Sequence, residues 1–355
     1  MSTEETPADV IDHAVHKAWR AHLPTEDFTV HDNFTRLGGT SMLAIRIIAD
    51  LRRELKTGLP LTSIFEAPTI HGLAELIRRR SRSLERSYVP MTIGHPNGKS
   101  VIHGKTAFVF VHPVGGAVSG YWDVVQGIPQ GIECVGLQAR GLDLECEPHV
   151  DIPTMASQYL SEVLAHHAAE DVVLSGYSFG GLVAYEMAHQ LEQEGRLPAG
   201  LLLLDTHVPD QNDSRPSRIR DLRALAAAIY RLPIAQLESN GEDVDDREVV
   251  RKIIDVARHC GTLPEEYNHE GLPRLIEVLA LNHRMSYTYE VPDYKHDIHL
   301  IRPAGSGSGD ALHAWSKRCS ARFVTHDIGG ENHYTLMSGV HGNRIAQLLA
   351  ELWLR

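Results

Sequence analysis

The chain has 355 residues, of which 43% are hydrophobic and 23% charged, values typical of a globular protein with a packed core and room for two domains. Its formal net charge of −12 disfavours nucleic acids and anionic membranes as main partners, because both bind clustered positive charge. The polar, acidic N-terminus and the lack of a long apolar run favour the cytoplasm. Four scattered cysteines form no Cys-x-x-Cys pair, so the sequence offers no zinc or redox motif.

Residues 8–80 predict a small bundle of four helices. The second helix is expected to begin near Ser41, since Leu43, Ile47 and Leu51 recur every four residues. A short helix is expected at 61–65 and a last one at 70–79. Either Thr40 or Ser41 could cap the second helix, as such residues often do. A phosphodiester on Ser41 would equally suit the positive end of the helix dipole.

Residues 81–105 change in character, because Ser, Arg, Gly, Pro, Asn and Lys dominate and apolar residues are isolated. This composition predicts a linker. Fully extended, it would reach roughly 80 Å, enough for one domain to swing about the other.

From residue 106 onward, buried strand patterns alternate with helical patterns. Strands are predicted at 107–111, 132–137, 172–175, 201–204, 298–301 and 322–325, with helices at 121–125, 154–166 and 182–194. This alternation predicts a mostly parallel sheet with helices on both faces. The interval between residues 204 and 298 has helical patterns only and is too long for an ordinary crossover. It predicts a helical lid at about 209–290.

Ser178 lies in Gly176-Tyr177-Ser178-Phe179-Gly180-Gly181, between a predicted strand and a predicted helix. A nucleophile presented on such a tight turn needs flanking glycines. It also needs a histidine base and a carboxylate, which follow the serine in the order acid, then histidine. Asp205 directly follows the strand at 201–204, and His333 follows the last strand. We therefore predict Ser178, Asp205 and His333 as the catalytic residues, with Asp327 as the rival acid.

The oxyanion hole is expected to use the backbone N–H of Phe179, the residue after the nucleophile, and a second N–H from a loop after an early strand. His112-Pro113-Val114-Gly115-Gly116 follows the first strand of this region, and Val114 is the predicted donor. His112 is expected to shape this loop and not to act as the base. His296 and His299 flank Asp297, but no third ligand is indicated, so no metal site is predicted.

Three motifs lie within residues 8–80: Asp32-Asn33-Phe34, Leu37-Gly38-Gly39-Thr40-Ser41 and Phe65-Glu66-Ala67-Pro68-Thr69. In these motifs, residues 8–80 resemble the peptidyl carrier domains of nonribosomal peptide synthetases. The resemblance implies that Ser41 carries covalent 4′-phosphopantetheine, attached by a phosphopantetheinyl transferase. Residues 106–355 resemble the type I thioesterase domains that end such assembly lines. The matching motifs are His112-Pro113-x-Gly115-Gly116, the glycine-flanked Ser178, Leu204-Asp205-Thr206 and Gly330-x-Asn332-His333.

The two resemblances imply a four-helix-bundle carrier domain followed by an α/β-hydrolase domain with a helical lid. A peptidyl thioester would be transferred to Ser178 and then released by hydrolysis or macrocyclisation. The implied partners are the upstream condensation and adenylation domains of the same assembly line. Alternatives are a chain-releasing thioesterase of polyketide or hybrid synthesis, a lipase- or esterase-like hydrolase with an accessory helical domain, and an inert docking module.

Overall fold

The structure, a computed structural model, describes most of the chain. The described residues are 7–25, 27–55, 59, 63–82, 87–91, 106–142, 146–209, 215–230, 232–237, 246–260, 271–304, 309–329, 333–337 and 339–354. They form two compact units. One contains the residues before Ser87 together with Gly141–Glu147, and the other contains Ser87–Arg140 and the chain from Pro148 onward.

The first unit is helical, as predicted. Its helices are α1 (Pro7–His22), α2 (Ser41–Leu55), α3 (Ser63–Glu66) and α4 (Ile70–Arg82). The apolar faces of these helices meet in one core, where the rings of Trp19 and Phe34 pack edge to face with centroids 5.6 Å apart. Phe34 thus fixes the loop between α1 and α2 to the bundle. The last helix continues three residues beyond the predicted end at Arg79.

The second unit is built on a seven-stranded sheet. Its strands are β1 (Tyr88–Pro90), β2 (Ala107–Val111), β3 (Glu133–Leu137), β4 (Val172–Tyr177), β5 (Gly200–Leu204), β6 (Ile298–Pro303) and β7 (Phe323–Ile328). Their order is β1-β3-β2-β4-β5-β6-β7, and all neighbours pair in parallel except β1, which is antiparallel to β3. The prediction of a mostly parallel sheet is confirmed.

Strand β1 lies within residues 81–105, the predicted linker, and joins part of this segment to the sheet. Tyr88 pairs with Leu137 and Pro90 with Val135. The buried carboxylate of Glu162 accepts hydrogen bonds from the N–H groups of Ser87 and Tyr88 at 2.9 and 3.0 Å. A three-residue strand shows no alternation in sequence, and its proline is tolerated because β1 is at the sheet edge.

Because the chain joins the sheet already at Tyr88, the expected reach of roughly 80 Å does not apply. Residues 83–86 and 92–105 of the predicted linker lie outside the described residues.

Helices cover both faces of the sheet. They are α5 (Trp122–Gly127), α6 (Ile152–Leu164), α7 (Phe179–Gln193), α12 (Gly309–Arg318) and α13 (Gly339–Trp353). Successive side chains of a strand point to opposite faces. Accordingly, Phe108 and Phe110 pack in the core under α5 and α13, whereas Val109 and Val111 pack in the core under α6 and α7. The sequence reasoning did not predict α12 or α13.

The described part of the interval between β5 and β6 is helical, as predicted, whereas residues 210–214, 231, 238–245 and 261–270 of the predicted lid lie outside the described residues. The interval contains α8 (Arg215–Tyr230), α9 (Ile234–Leu237), α10 (Asp246–Cys260) and α11 (Gly271–Thr288). Ile276 and Leu279 of α11 are buried in the same core as Leu182 of α7. This insertion therefore shares its core with the sheet domain and contacts α7. Among the described residues, none of the helices combines the length and apolar character that a membrane span requires.

Candidate active site

Ser178 stands between β4 and α7 in a strained backbone conformation. Its φ and ψ angles are 56° and −121°, a region that residues other than glycine adopt at a cost of about 1–3 kcal/mol. Neighbouring groups hold the strain. The N–H of Ser178 donates to the carbonyl oxygen of Leu204 at 2.8 Å, and its carbonyl oxygen accepts from the N–H of Gly181 at 3.0 Å and the hydroxyl of Thr206 at 3.1 Å. The nucleophile candidate is thereby presented half-buried at the start of α7.

Two glycines make this turn possible. A Cβ atom on Gly176 would lie 2.0 Å from the carbonyl oxygen of Gly180. One on Gly180 would lie 2.3 Å from the carbonyl oxygen of Val111. Backbone atoms cannot yield at such distances, so the turn can close, and α7 can approach β2, only because both positions lack a side chain.

Asp205 and His333 are brought together across 128 positions of sequence. His333 Nδ1 lies 2.8 Å from Asp205 Oδ2. A carboxylate only accepts hydrogen bonds, so in the neutral imidazole Nδ1 carries the proton and Nε2 is the unprotonated nitrogen, the atom that can act as a base. Asp205 is buried directly after β5 with φ of 43°, and its N–H donates to the carbonyl oxygen of Ile301 at 2.7 Å.

The sheet register explains how Ser178 and Asp205 come close. Tyr177 at the end of β4 is opposite Leu204 at the end of β5. The next residues of these two parallel strands are Ser178 and Asp205, which therefore emerge at the same edge of the sheet. Among the described residues, the hydroxyl of Ser178 forms no hydrogen bond. The hydrogen bond between a nucleophilic serine and its histidine base is often long in the free enzyme and shortens when substrate binds.

Asp327, the rival acid, has a different partner. Its Oδ1 accepts from Arg302 Nε at 2.6 Å, between β7 and β6. Its side chain is exposed, whereas that of Asp205 is buried beside the histidine. The geometry therefore favours Asp205 for the carboxylate role.

Tyr177 supports His333 and was not singled out from the sequence. Its ring stacks on the imidazole with centroids 4.6 Å apart, and its hydroxyl donates to the carbonyl oxygen of His333. The N–H of Tyr177 in turn donates to the hydroxyl of Tyr121 at 2.7 Å. The residue that precedes the serine thus fixes both the ring plane and the backbone of the histidine. Its position next to Ser178 was the only sequence signal for this role.

Val114 and Phe179 carry free backbone donors. Their N–H groups donate to no group in the described part of the chain. Both side chains are buried, with Phe179 stacked on His112 at a centroid distance of 5.7 Å. Since unused N–H groups are rare in a folded interior, the two are available for an incoming oxyanion.

His112 holds the loop that carries Val114. Burial lowers the pKa of His112 to about 4, so the ring is neutral at physiological pH. Its Nδ1–H donates to the carbonyl oxygen of Pro113 at 2.8 Å, and its Nε2 accepts from the hydroxyl of Tyr159 at 2.9 Å. Both ring nitrogens are occupied in hydrogen bonds, which fits the prediction that His112 shapes the loop.

The two histidines considered for a metal lie elsewhere. His299 stacks on His326 with an Nδ1 to Nε2 distance of 2.9 Å, while His296 faces Glu192 at 3.4 Å. Burial, followed by the neighbouring His326, lowers the pKa of His299 to about 4. Within the described ranges, no cluster of three or more His, Cys, Asp or Glu side chains could hold a metal ion.

The start of α2 fits a covalently attached phosphodiester. Thr40, not Ser41, occupies the capping position, because its hydroxyl accepts from the N–H of Leu43 at 3.4 Å and its carbonyl oxygen accepts from that of Ala44 at 2.9 Å. Ser41 is thus the first helical residue, and the first turn contains no acidic side chain that would repel a phosphate. The capping alternative that the sequence left open therefore applies to Thr40.

Fold and site together define an α/β-hydrolase of the serine hydrolase class, preceded by a helical domain. Residues 107–349 match the family described as "Thioesterase domain", and residues 19–77 match the one described as "Phosphopantetheine attachment site". Because the first match covers more than half of the sequence, the chain belongs to the thioesterase domain family. The helical domain is the site of covalent 4′-phosphopantetheine attachment.

Curated and solved proteins are similar to this chain over different shares of its length. Indigoidine synthase of Dickeya dadantii is 31% identical over 210 residues, which are 59% of this chain and 14% of that protein. Holo-AB3403, a four-domain nonribosomal peptide synthetase solved with AMP and glycine, aligns with a TM-score of 0.62 and 20% identity over 99% of this chain and 27% of its own.

The Vlm2 thioesterase domain, solved with a bound dodecadepsipeptide, aligns with a TM-score of 0.55 and 22% identity over 75% of this chain and 96% of its own. At these identities the two solved structures show a shared fold. The chain spans only a small share of the length of the curated relative.

Proposed function

We propose that the chain releases peptidyl chains from a phosphopantetheine thioester in nonribosomal peptide biosynthesis. One observation carries this proposal: the hydrogen-bonded His333 and Asp205 lie at the sheet edge that presents Ser178, in a chain whose helical domain is a phosphopantetheine attachment site. The four-domain nonribosomal peptide synthetase that shares its fold supports the biosynthetic setting.

Ser41 would hold the phosphopantetheine, and the uncharged first turn of α2 would receive its phosphate. When bound, this group supplies a thiol that holds the acyl chain as a thioester. A phosphopantetheinyl transferase would attach it, and the condensation and adenylation domains of the same assembly line would supply the peptide. The substrate of the second domain is therefore a peptidyl thioester.

In the first half-reaction, His333 Nε2 takes the proton of the Ser178 hydroxyl as the oxygen attacks the acyl carbonyl carbon. Asp205 keeps the proton on Nδ1 and stabilises the imidazolium. The N–H groups of Phe179 and Val114 donate to the oxyanion of the tetrahedral intermediate. His333 Nε2 then gives its proton to the leaving sulfur as the carbon–sulfur bond breaks, and an ester on Ser178 remains.

In the second half-reaction, water or an internal amine or hydroxyl of the peptide attacks the ester. His333 Nε2 accepts the proton of this nucleophile and passes it to Ser178 as the ester bond breaks. Attack by water gives a linear acid, and internal attack gives a macrocycle. Ser178 is regenerated in either case.

Separate variants of the two serines test this proposal. Ser178→Ala should still gain the mass of phosphopantetheine but retain a loaded peptide, because no nucleophile accepts it. Ser41→Ala should show no mass gain from a phosphopantetheinyl transferase, while hydrolysing a soluble peptidyl thioester at the wild-type rate. Mass spectrometry of intact protein and product reads both effects.

Thr40→Ala is the matched control for the carrier domain, since it removes the neighbouring hydroxyl that caps α2 and leaves Ser41 in place. It should still accept the group. Peptide release by Ser178→Ala at the wild-type rate would refute the nucleophile. Turnover of oxygen esters without any mass gain on Ser41 would instead indicate an esterase with an accessory helical domain.

A further inference from the structure

In the loop that carries Val114, the carbonyl groups of Pro113 and of Val114 itself are both held by hydrogen bonds. The carbonyl oxygen of Pro113 accepts from His112 Nδ1 at 2.8 Å and from the N–H of Gly116 at 2.9 Å. In a trans peptide the C=O and the following N–H point in opposite directions. Fixing the carbonyl of Pro113 therefore also fixes the direction of the Val114 N–H.

The hydrogen bond to the carbonyl group of Val114 comes from the lid. Asn282 of α11 donates its Nδ2–H to the carbonyl oxygen of Val114 at 2.9 Å, and both groups are buried. These two residues are 168 positions apart in sequence. Val114 thus has one peptide plane held from within its own loop and the other held by a side chain of the inserted helices.

A second helix of the lid reaches the same loop. A Cβ atom built on Gly115 would lie 3.5 Å from Ile229 Cδ1 of α8, which is ordinary van der Waals contact. The contact of Ile229 is apolar and leaves the direction of the peptide groups undetermined. Asn282 differs, because its hydrogen bond acts on the carbonyl of the residue whose N–H faces the oxyanion.

We propose that Asn282 is a positioning residue: when α11 of the lid is packed as in this structure, its hydrogen bond to Val114 aligns the Val114 N–H in the oxyanion hole. This inference rests on the oxyanion role proposed for Val114. When α11 is in place, its amide holds the Val114 carbonyl and both backbone torsions of Val114 are fixed. When α11 moves away, a buried carbonyl loses its donor and the loop is free to reorient. Acyl transfer is thereby coupled to lid position.

Replacement of Asn282 should slow the chemical step and leave substrate binding intact. For Asn282→Leu, of similar size but without a donor, we expect kcat to fall by about 10- to 100-fold, up to the loss seen when one oxyanion donor is removed. KM for a soluble acyl thioester should change by less than about two-fold, since the interaction acts in the transition state. Inhibition by a peptidyl trifluoromethyl ketone, whose adduct on Ser178 carries an oxyanion, should weaken by the same factor as kcat/KM.

Tyr287→Phe is the matched control on the same helix. Tyr287 donates to Asp221 Oδ2 of α8 at 2.8 Å, so its loss loosens a contact within the lid and leaves Val114 untouched. It should keep wild-type kcat. Because His333 and Asp205 are not touched, the midpoint of the acid limb of the kcat/KM profile should be the same in all three proteins.

Several outcomes would overturn the inference. These are an unchanged kcat in Asn282→Leu, a loss confined to KM, or an equal loss in Tyr287→Phe, which would indicate lid stability alone. If the leucine variant melts far below wild type, Asn282→Ala replaces it, since alanine cannot clash. If the wild-type chain itself fails to hydrolyse the thioester, the proposed function is refuted, and with it the role of Asn282 that rests on it. If the wild type is active and only the expected effect of Asn282→Leu is missing, the role of Asn282 alone is refuted.

Discussion

Ser178 and Asp205 both hold positive φ angles, 56° and 43°, at the ends of adjacent parallel strands. Neither serine nor aspartate favours this conformation in a free chain. The hydrogen bonds from their N–H groups to the carbonyls of Leu204 and Ile301 hold them there. At the scale of single residues, backbone hydrogen bonds to the neighbouring strands β5 and β6 thus maintain the positions of Ser178 and Asp205.

His112 makes stability depend on pH in a defined direction. Its pKa is about 4 in the folded protein, against about 6.5 in an unfolded chain. Between these values the unfolded state binds a proton that the folded state does not, so stability falls as pH decreases through this window. From pH 7.5 to pH 5 this single group should cost about 2 kcal/mol of unfolding free energy.

Urea unfolding of the wild type and His112→Asn at these two pH values measures the effect. Asparagine does not titrate, and its amide can still donate near the position of Nδ1. The free-energy difference between the two proteins should therefore shift by about 2 kcal/mol in favour of the variant at pH 5. A difference that is the same at both pH values would contradict the buried neutral state of His112.

At the scale of secondary structure, β1 is an edge strand held by a side chain as much as by its neighbour β3. Glu162 of α6 accepts from two consecutive N–H groups, those of Ser87 and Tyr88, and also from Gln158 at 3.0 Å. A buried carboxylate is costly unless it is hydrogen-bonded, and here three donors satisfy it. This arrangement explains why a three-residue strand stays on the sheet.

Glu162→Ala should release β1. It leaves two N–H groups without an acceptor, at a cost of about 1–3 kcal/mol in unfolding free energy, and hydrogen exchange of the Ser87 and Tyr88 amides should accelerate. Glu162→Gln keeps one acceptor oxygen and should lie between the alanine variant and wild type. Gln190→Ala removes side-chain hydrogen bonds to Glu186 of α7 and to the carbonyl oxygen of Pro153 in α6, neither of which involves β1, and should leave these two amides protected. Unchanged protection in Glu162→Ala would show that β3 alone holds the strand.

At the scale of the whole molecule, the two units have separate cores. The core of the helical unit is formed by residues between Ala14 and Ile77, and the cores on the two sheet faces by residues between Val89 and Leu349. None of these buried clusters contains described residues of both units. Each unit therefore has the apolar contacts needed to fold as a domain.

Calorimetry of the intact chain should accordingly show two unfolding transitions. At about 0.7 kcal/mol per residue, their enthalpies should be about 65 kcal/mol for the helical unit and about 180 kcal/mol for the sheet unit. Ile47→Ala, in the helical core, should lower the midpoint temperature of the smaller transition only. Leu202→Ala, in β5, should lower that of the larger transition only. A single transition that shifts with either variant would contradict independent cores.

Much of the fold could be read from local patterns. Five continuous apolar residues at Ala107–Val111 and four leucines before Asp205 indicated buried parallel strands, since such strands are covered on both faces. Helix α13 could also have been predicted from the sequence, because Ile345, Ala346 and Leu349 recur at helical spacing, but it was not. Strand β1 could not be predicted from local sequence, because it depends in part on a hydrogen bond from Ser87 to the carboxylate of Glu162, 75 residues away.

The candidate site residues and their order along the chain follow from local sequence patterns. Glycines around Ser178, an acid after the next strand and a histidine after the last one follow from the chemistry that a serine nucleophile requires. Tertiary structure decided the pairings: Asp205 and not Asp327 beside His333, Thr40 and not Ser41 as the cap of α2, Tyr177 on the imidazole and Asn282 on Val114. The physical reason is that hydrogen bonds and ring contacts depend on distance and direction in space, which residue type and spacing along the chain do not specify.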